Sequence, residues 1–147
     1  MSGLETRFAE ADASPGFLLW QATNAWQRRV RAALAPHDLT HVQFVLLATL
    51  LSLQPAPVTQ RQLADAAGTD AMMTSQVLRG LEKRSLITRL PHPTDRRAVI
   101  VAVTDQAVPL VNAANRAVED ADERFFSALE PTHLDHFVRL LRELHTS

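Results

Sequence analysis

Two groups of side chains in this sequence have the types and spacing to bind a polyanion. The first is Arg96 and Arg97, which follow Asp95 in the turn-forming run PHPTDRR. A guanidinium can enter the narrow, strongly negative minor groove of DNA and read its width. Asp95 would support the tip by holding one of the two in a bidentate pair, leaving the other free. The second group lies in TQRQLADAAGTDAMMTSQVLRGLEKRSLI, residues 59–87. At about 100° per residue on a helix, Ala71, Met72, Ser75, Arg79 and Glu82 point away from Val77, with Gln76 at the flank. Side chains of this kind can enter a major groove and hydrogen-bond to bases, and Met72 or Ala71 can touch a thymine methyl. Thr59 and Gln60, at the start of the preceding helix, are placed to bond phosphates and set the register.

The charge distribution agrees. The chain has a formal charge of −1, yet residues 59–97 hold seven basic and four acidic side chains, and residues from 104 onward hold four basic and eight acidic. A basic segment in a near-neutral chain suits a polyanion contacted by one face. Plain alternatives stand beside each feature: an uneven surface, a helical hairpin in a bundle, and a solvated turn. Catalysis is not expected. There is no glycine-rich phosphate loop and no G-x-S-x-G, and no spacing of Asp, His and Ser selects a triad. The chain has no cysteine, which excludes disulfides and thiolate metal sites. No apolar run approaches membrane-spanning length, and the first residues lack a secretory pattern. The expected location is the cytoplasm, with no membrane partner.

The elements that must position these residues are mostly helices. A helix is expected from Ser14 or Pro15 to Leu34, with Leu19, Thr23, Trp26, Val30 and Leu34 on one face, ended by Pro36. Thr40 caps a second helix over 41–51 that is apolar nearly all round and should form the buried centre. QPAP breaks it. Thr59 caps a short helix over 60–67, Gly68 turns the chain, and Thr69 or Asp70 caps a helix over 71–84. Ala64 is the small residue at the helix crossing, and Met73, Val77 and Leu81 form the inner stripe of the second helix. LITRL (86–90) and AVIVAV (98–103) read as an antiparallel hairpin. A long helix over 108–127 carries the seam Val111, Ala114, Val118, Ala121 and Phe125. A last helix from Pro131 carries the stripe Leu134, Phe137, Val138, Leu141 and Leu144. The seam and the stripe offer more apolar face than one small winged helix can cover, which points to a homodimer. The fold class is therefore mainly α: a winged helix-turn-helix, at about 40–104, with a small β-hairpin wing. All 147 residues form one domain.

These residues resemble the MarR family of winged-helix transcriptional regulators over about residues 15–145. The resemblance rests on ALAPHDLTHVQFVLLATL (33–50), VTQRQLADAAGTDAMMTSQVLRGLEKRSLITR (58–89) and PTDRRAVIVAVT (93–104). Leu39, Thr40, Gln43 and Phe44 match one family segment, and Asp95, Arg97 and Thr104 match the wing. The sequence departs from the family at Ser85 and Ala107, where glycine is usual or frequent. The resemblance implies a sequence-specific DNA-binding regulator, a homodimeric repressor whose N- and C-terminal helices, at about 14–35 and 105–145, form a dimerisation domain by interlacing with those of its partner. Its partner would be double-stranded DNA carrying a pseudo-palindromic operator.

The resemblance also implies a small aromatic effector between the dimer helices and the winged helix. In this sequence that region would include Trp20, Trp26, His41 and Phe44, with Arg28 or Arg29 offering a charge. The alternative is that Trp26 is plain core and His41 a satisfied histidine at a helix start. The pairs His133/His136 and His37/His41 have metal-compatible spacing, but two ligands do not complete a site. No metal and no cofactor are expected. A metal-responsive regulator of the same fold and a winged-helix protein-interaction module stay open as alternatives.

Overall fold

The computed structural model describes residues 3–146, with side chains through 145. Helix α1 (Pro15–Leu34) begins at Ser14, whose hydroxyl accepts the Phe17 N–H, and Pro15 occupies the first turn, where no N–H is needed. A 3-10 turn follows through Pro36 and ends on Asp38 in the left-handed region. Helix α2 (His41–Leu53) opens with a reciprocal cap. Thr40 Oγ1 accepts the Gln43 N–H at 3.2 Å, and Gln43 Oε1 accepts the Thr40 N–H at 3.0 Å. Phe44, Leu46, Leu47 and Leu50 of α2 lie in the core, so this helix is the buried centre. Burying each such side chain contributes roughly 1.5–3 kcal/mol.

The same capping logic repeats at α3 (Gln60–Ala67), where Thr59 and Gln62 exchange bonds of 3.1 and 2.9 Å. Gly68 closes α3 with φ 72°, a conformation that glycine adopts without a Cβ penalty. Asp70 then caps α4 (Ala71–Lys83) by accepting the Met73 N–H at 2.7 Å. After α4 the chain turns through Ser85 at φ 60°. The Leu86 N–H reaches back to the Leu81 carbonyl at 3.0 Å and the Ser85 N–H to that of Glu82 at 2.9 Å. These bonds form a Schellman ending with serine at the position glycine usually takes. Ala107, by contrast, has φ −84°, so no glycine is needed there.

The hairpin consists of β2 (Ile87–Pro91) and β3 (Val99–Val103), antiparallel, with Ile87 opposite Val103 and Pro91 opposite Val99. It is not alone. Val58–Thr59 forms a strand, β1, that pairs with β3 through Val58 opposite Val101. The sheet order is β1-β3-β2. Two residues are too few to show an alternating pattern, and their pairing partner lies far along the chain, so this strand has no local signature.

Helix α5 (Val108–Phe126) packs along α1 and α2. Val111, Ala114, Val118 and Ala121 are buried there. Four of the five seam residues are thus covered by helices of the same chain, with Phe125 half-buried, so the seam itself offers a second chain little apolar face. The α1 stripe is also only half used. Val30 and Leu34 are buried, while Leu19 is exposed, because α1 runs on past the surface that covers its second half. Helix α6 (Pro131–Thr146) contacts the rest of the chain sparsely and leaves Val138, Leu140 and Leu141 exposed.

Candidate nucleic-acid interface

The orientation of α4 follows from what it buries. Thr74, Leu78 and Leu81 face inward, with Val77 partly buried beside them and Met73 exposed. The expected stripe of Met73, Val77 and Leu81 is therefore turned by part of a residue step. Thr74 is the reason. Its buried hydroxyl donates to the Asp70 carbonyl at 2.8 Å and shares a 2.6 Å hydrogen bond with Thr69 Oγ1. A buried hydroxyl with both partners supplied carries little desolvation penalty, so threonine can hold a core position. With 74, 78 and 81 inside, a spacing of about 100° per residue puts Met72, Gln76, Arg79 and Lys83 on the outward line. Gln76 moves from the flank to the centre, Lys83 joins it, and Ala71, Ser75 and Glu82 move to the side. Met72 is 73% exposed, and Ser75 is half-buried.

A concave groove of about 790 Å³ lies between α3, the start of α4 and the wing. Thr59, Gln60, Arg61, Ala71, Asp95 and Arg97 are among its lining residues. Of the residues expected to meet DNA, Thr59, Gln60, Ala71 and Arg97 thus share one surface with Asp95, while Met72, Ser75, Gln76, Arg79 and Arg96 do not line it. Gln60 Oε1 accepts from Arg89 at 3.5 Å, a bond that does not use its amide N–H donors. Arg89 also pairs with Glu82 at 3.4 Å, tying strand β2 to both α3 and α4. Reading by segments missed this arginine, because its partners lie on two other elements. At the far end of α4, Arg84 reaches Asp38 and Gln43, each at 3.5 Å, across to the start of α2.

The wing tip corrects the role expected for Asp95. Its carboxylate does not grip a guanidinium. Asp95 Oδ1 accepts the backbone N–H of Arg97 at 2.9 Å. Among the described residues, Arg79, Arg96 and Arg97 form no ion pair, so all three charges face solvent. His92, to which no role was expected, accepts through Nδ1 from the N–H groups of Thr94 and Asp95 at 3.2 and 3.0 Å.

The four residues of the expected effector site separate into three settings. Trp26 and His41 are in edge contact, with ring centroids 5.1 Å apart. Trp26 Nε1 donates to Asp122 Oδ1 at 2.7 Å, linking α1 to α5. Phe44 is in the core, 6% exposed, and Trp20 stands at the surface, 66% exposed. His41 is half-buried. Its pKa is lowered from 6.5 chiefly by burial, then by the nearby Arg31 charge, with Asp122 opposing. Arg29 lies over the Phe125 ring at 5.8 Å. His133 and His136 are exposed on α6. Among the described residues, no three His, Asp or Glu side chains gather where a metal could bind.

Comparison with known proteins gives a consistent picture. The MarR family matches residues 39–99. An uncharacterised HTH-type transcriptional regulator of Bacillus subtilis (strain 168), YdcH, is 44% identical over 141 residues, covering 95% of each chain. A MarR-family transcriptional regulator from Rhodococcus sp. RHA1 superposes with a TM-score of 0.82 at 26% identity, covering 95% of this chain and 96% of that one. CouR from Rhodococcus jostii RHA1, solved bound to p-coumaroyl-CoA, superposes with a TM-score of 0.83 at 26% identity, covering 93% and 95%. No helix among the described residues is long and apolar enough to cross a membrane.

Proposed function

Because this chain belongs to the MarR family of transcriptional regulators, which act by binding DNA, we propose that it works as a homodimeric repressor of a pseudo-palindromic operator. The whole chain acts as one domain in the cytoplasm. The observation that carries this reading is the groove between α3, α4 and the wing, with residues of all three lining one concave surface. In it, Thr59 and Gln60 bond phosphates and set the register. Met72, Gln76 and Arg79 face the major groove from the outward line of α4, with Ala71 and Ser75 beside them. Arg96 and Arg97 enter the minor groove, and Asp95 shapes the turn that carries them. Two copies related by a two-fold axis would place their α4 helices about one DNA turn apart.

Dimerisation uses the exposed apolar faces of α6 and the first half of α1, where Val138, Leu140, Leu141 and Leu19 lie open. A small aromatic effector would act at the junction of α1, α2 and α5, around Trp26 and His41, and change the spacing of the two α4 helices. The aromatic acyl group of the CouR ligand supports that class of effector.

Selection of genomic fragments by the purified protein, followed by sequencing, tests the reading. A recovered palindrome with half-sites about one turn apart is expected. On that operator, Arg96→Ala and Arg97→Ala should each cost roughly 1–3 kcal/mol of binding. Unchanged affinity in both, and in the double variant, would remove the wing from the interface.

A further inference from the structure

We propose that His92 is a positioning residue for DNA binding: the Nδ1 lone pair of its imidazole holds the wing tip in the shape that presents Arg96 and Arg97. The proposal rests on the wing reading above and extends it to a residue outside the groove.

Three donors converge on this one nitrogen. They are the Thr94 N–H at 3.2 Å, the Asp95 N–H at 3.0 Å and the Thr94 hydroxyl at 3.3 Å. A ring nitrogen accepts only when unprotonated, so the hydrogen-bond network assigns the proton of neutral His92 to Nε2. The next link runs from Asp95 Oδ1 to the Arg97 N–H at 2.9 Å. The frame closes through His92 N–H to the Ala98 carbonyl and Ala98 N–H to the Asp95 carbonyl, each at 3.1 Å. The bonds thus pass from His92 to Asp95 and from Asp95 to the backbone of Arg97. Residues 93–97 are all exposed, so no buried side chain anchors the tip. These polar bonds are what opposes its conformational freedom. His92 itself sits between Pro91 and Pro93, two residues with fixed φ, so the backbone that carries the ring has little room to move. A tip ordered before binding leaves less entropy to be lost on the DNA.

The full-length protein and an operator duplex recovered by selection suffice for the test, with affinity read by fluorescence anisotropy. His92→Asn keeps a side-chain acceptor close to the Nδ1 position and can cap the same turn. It should bind within about twofold of the parent, whereas His92→Ala should bind roughly 5- to 20-fold more weakly, a part of what loss of the arginines themselves costs. The melting temperature of both should match the parent, since the ring lies outside the core. In an Arg96→Ala/Arg97→Ala background, His92→Ala should cost nothing further, because its effect passes through those side chains. Parent-like affinity of His92→Ala, beside a clear loss in the arginine double variant, would overturn the role of His92 alone. Equal weakness of His92→Asn and His92→Ala would overturn the acceptor role. An arginine double variant that binds like the parent would overturn the wing reading, and this proposal with it.

Discussion

The winged helix and the terminal helices treat their apolar side chains in opposite ways. In the winged helix, Leu46, Leu47, Leu50, Leu63, Leu78 and Leu81 are all completely buried. In α6, Val138, Leu140 and Leu141 each leave about two-fifths of their surface open, and α1 leaves Phe17, Leu18 and Leu19 similarly open. One chain therefore completes its reading head but not its ends. Scattered exposed apolar residues are ordinary, but two helices that each leave several large apolar side chains open fit the proposed dimer surface. The division of labour is physical: a helix pair that reads DNA needs rigid internal packing, whereas spacing between two such pairs is set by whatever covers the ends.

The sharpest way to break this comparison is to make the open ends polar. If the proposed dimer forms through these faces, Val138→Asp together with Leu141→Asp should convert it to a monomer, read by analytical ultracentrifugation beside the parent. Operator affinity should fall by 100-fold or more, on the order expected when two linked half-sites are separated. A dimer that survives both changes would show that the open faces serve something else.

A smaller effect probes the finished half. Ser85 holds a left-handed backbone, a conformation that costs a non-glycine residue roughly 1–2 kcal/mol. Its carbonyl is already engaged by Thr104 Oγ1 at 2.8 Å and Gln106 Nε2 at 3.0 Å, so the turn cannot relax. Ser85→Gly should stabilise the protein by about 0.5–1 kcal/mol in urea unfolding, the gain in the turn being partly offset by a freer unfolded chain. No gain, or a loss, would mean that the serine side chain contributes more than the strain removes.

The smallest effect lies at the junction of the two halves. The folded state keeps the His41 pKa below 6.5, first through burial. Below about pH 6.5 the unfolded chain binds a proton that the folded chain resists, so this contribution is complete above that pH and is lost on acidification through the folded value. His41→Gln should therefore flatten the acid limb of stability between about pH 7 and 5. An unchanged acid limb would assign that dependence to other groups.

Much of this was legible from the chain. The caps at Thr40 and Thr59 and the turn at Gly68 are local signals, each decided within four residues, and each stands where the sequence puts it; of the two candidates for the α4 cap, Thr69 and Asp70, the structure selects Asp70. What the sequence hid depends on partners at a distance or on a detail of burial. The rotation of α4 turns on one buried hydroxyl, which a count of apolar residues passes over. Strand β1 exists only because β3 lies beside it. The brace from Arg89 to Gln60 and Glu82 joins three elements, and the place of His92 depends on how the tip closes. The expected effector group came from the family resemblance, mapped onto a region of the chain; of its four members, the structure brings Trp26 and His41 into ring contact.

Thr59 belongs to two elements at once. It is the last residue of β1, opposite Ile100 in the sheet, and its hydroxyl caps α3. A strand cannot slip along its neighbour without losing register, so Thr59 is a fixed joint between the wing and the helix pair, beside the Arg89 brace. The groove between them then behaves as a gauge whose opening is set by main-chain pairing as well as by that brace. On the proposed reading, DNA whose major and minor grooves are spaced to suit that opening would meet both arms together, and DNA of a different local shape would meet only one.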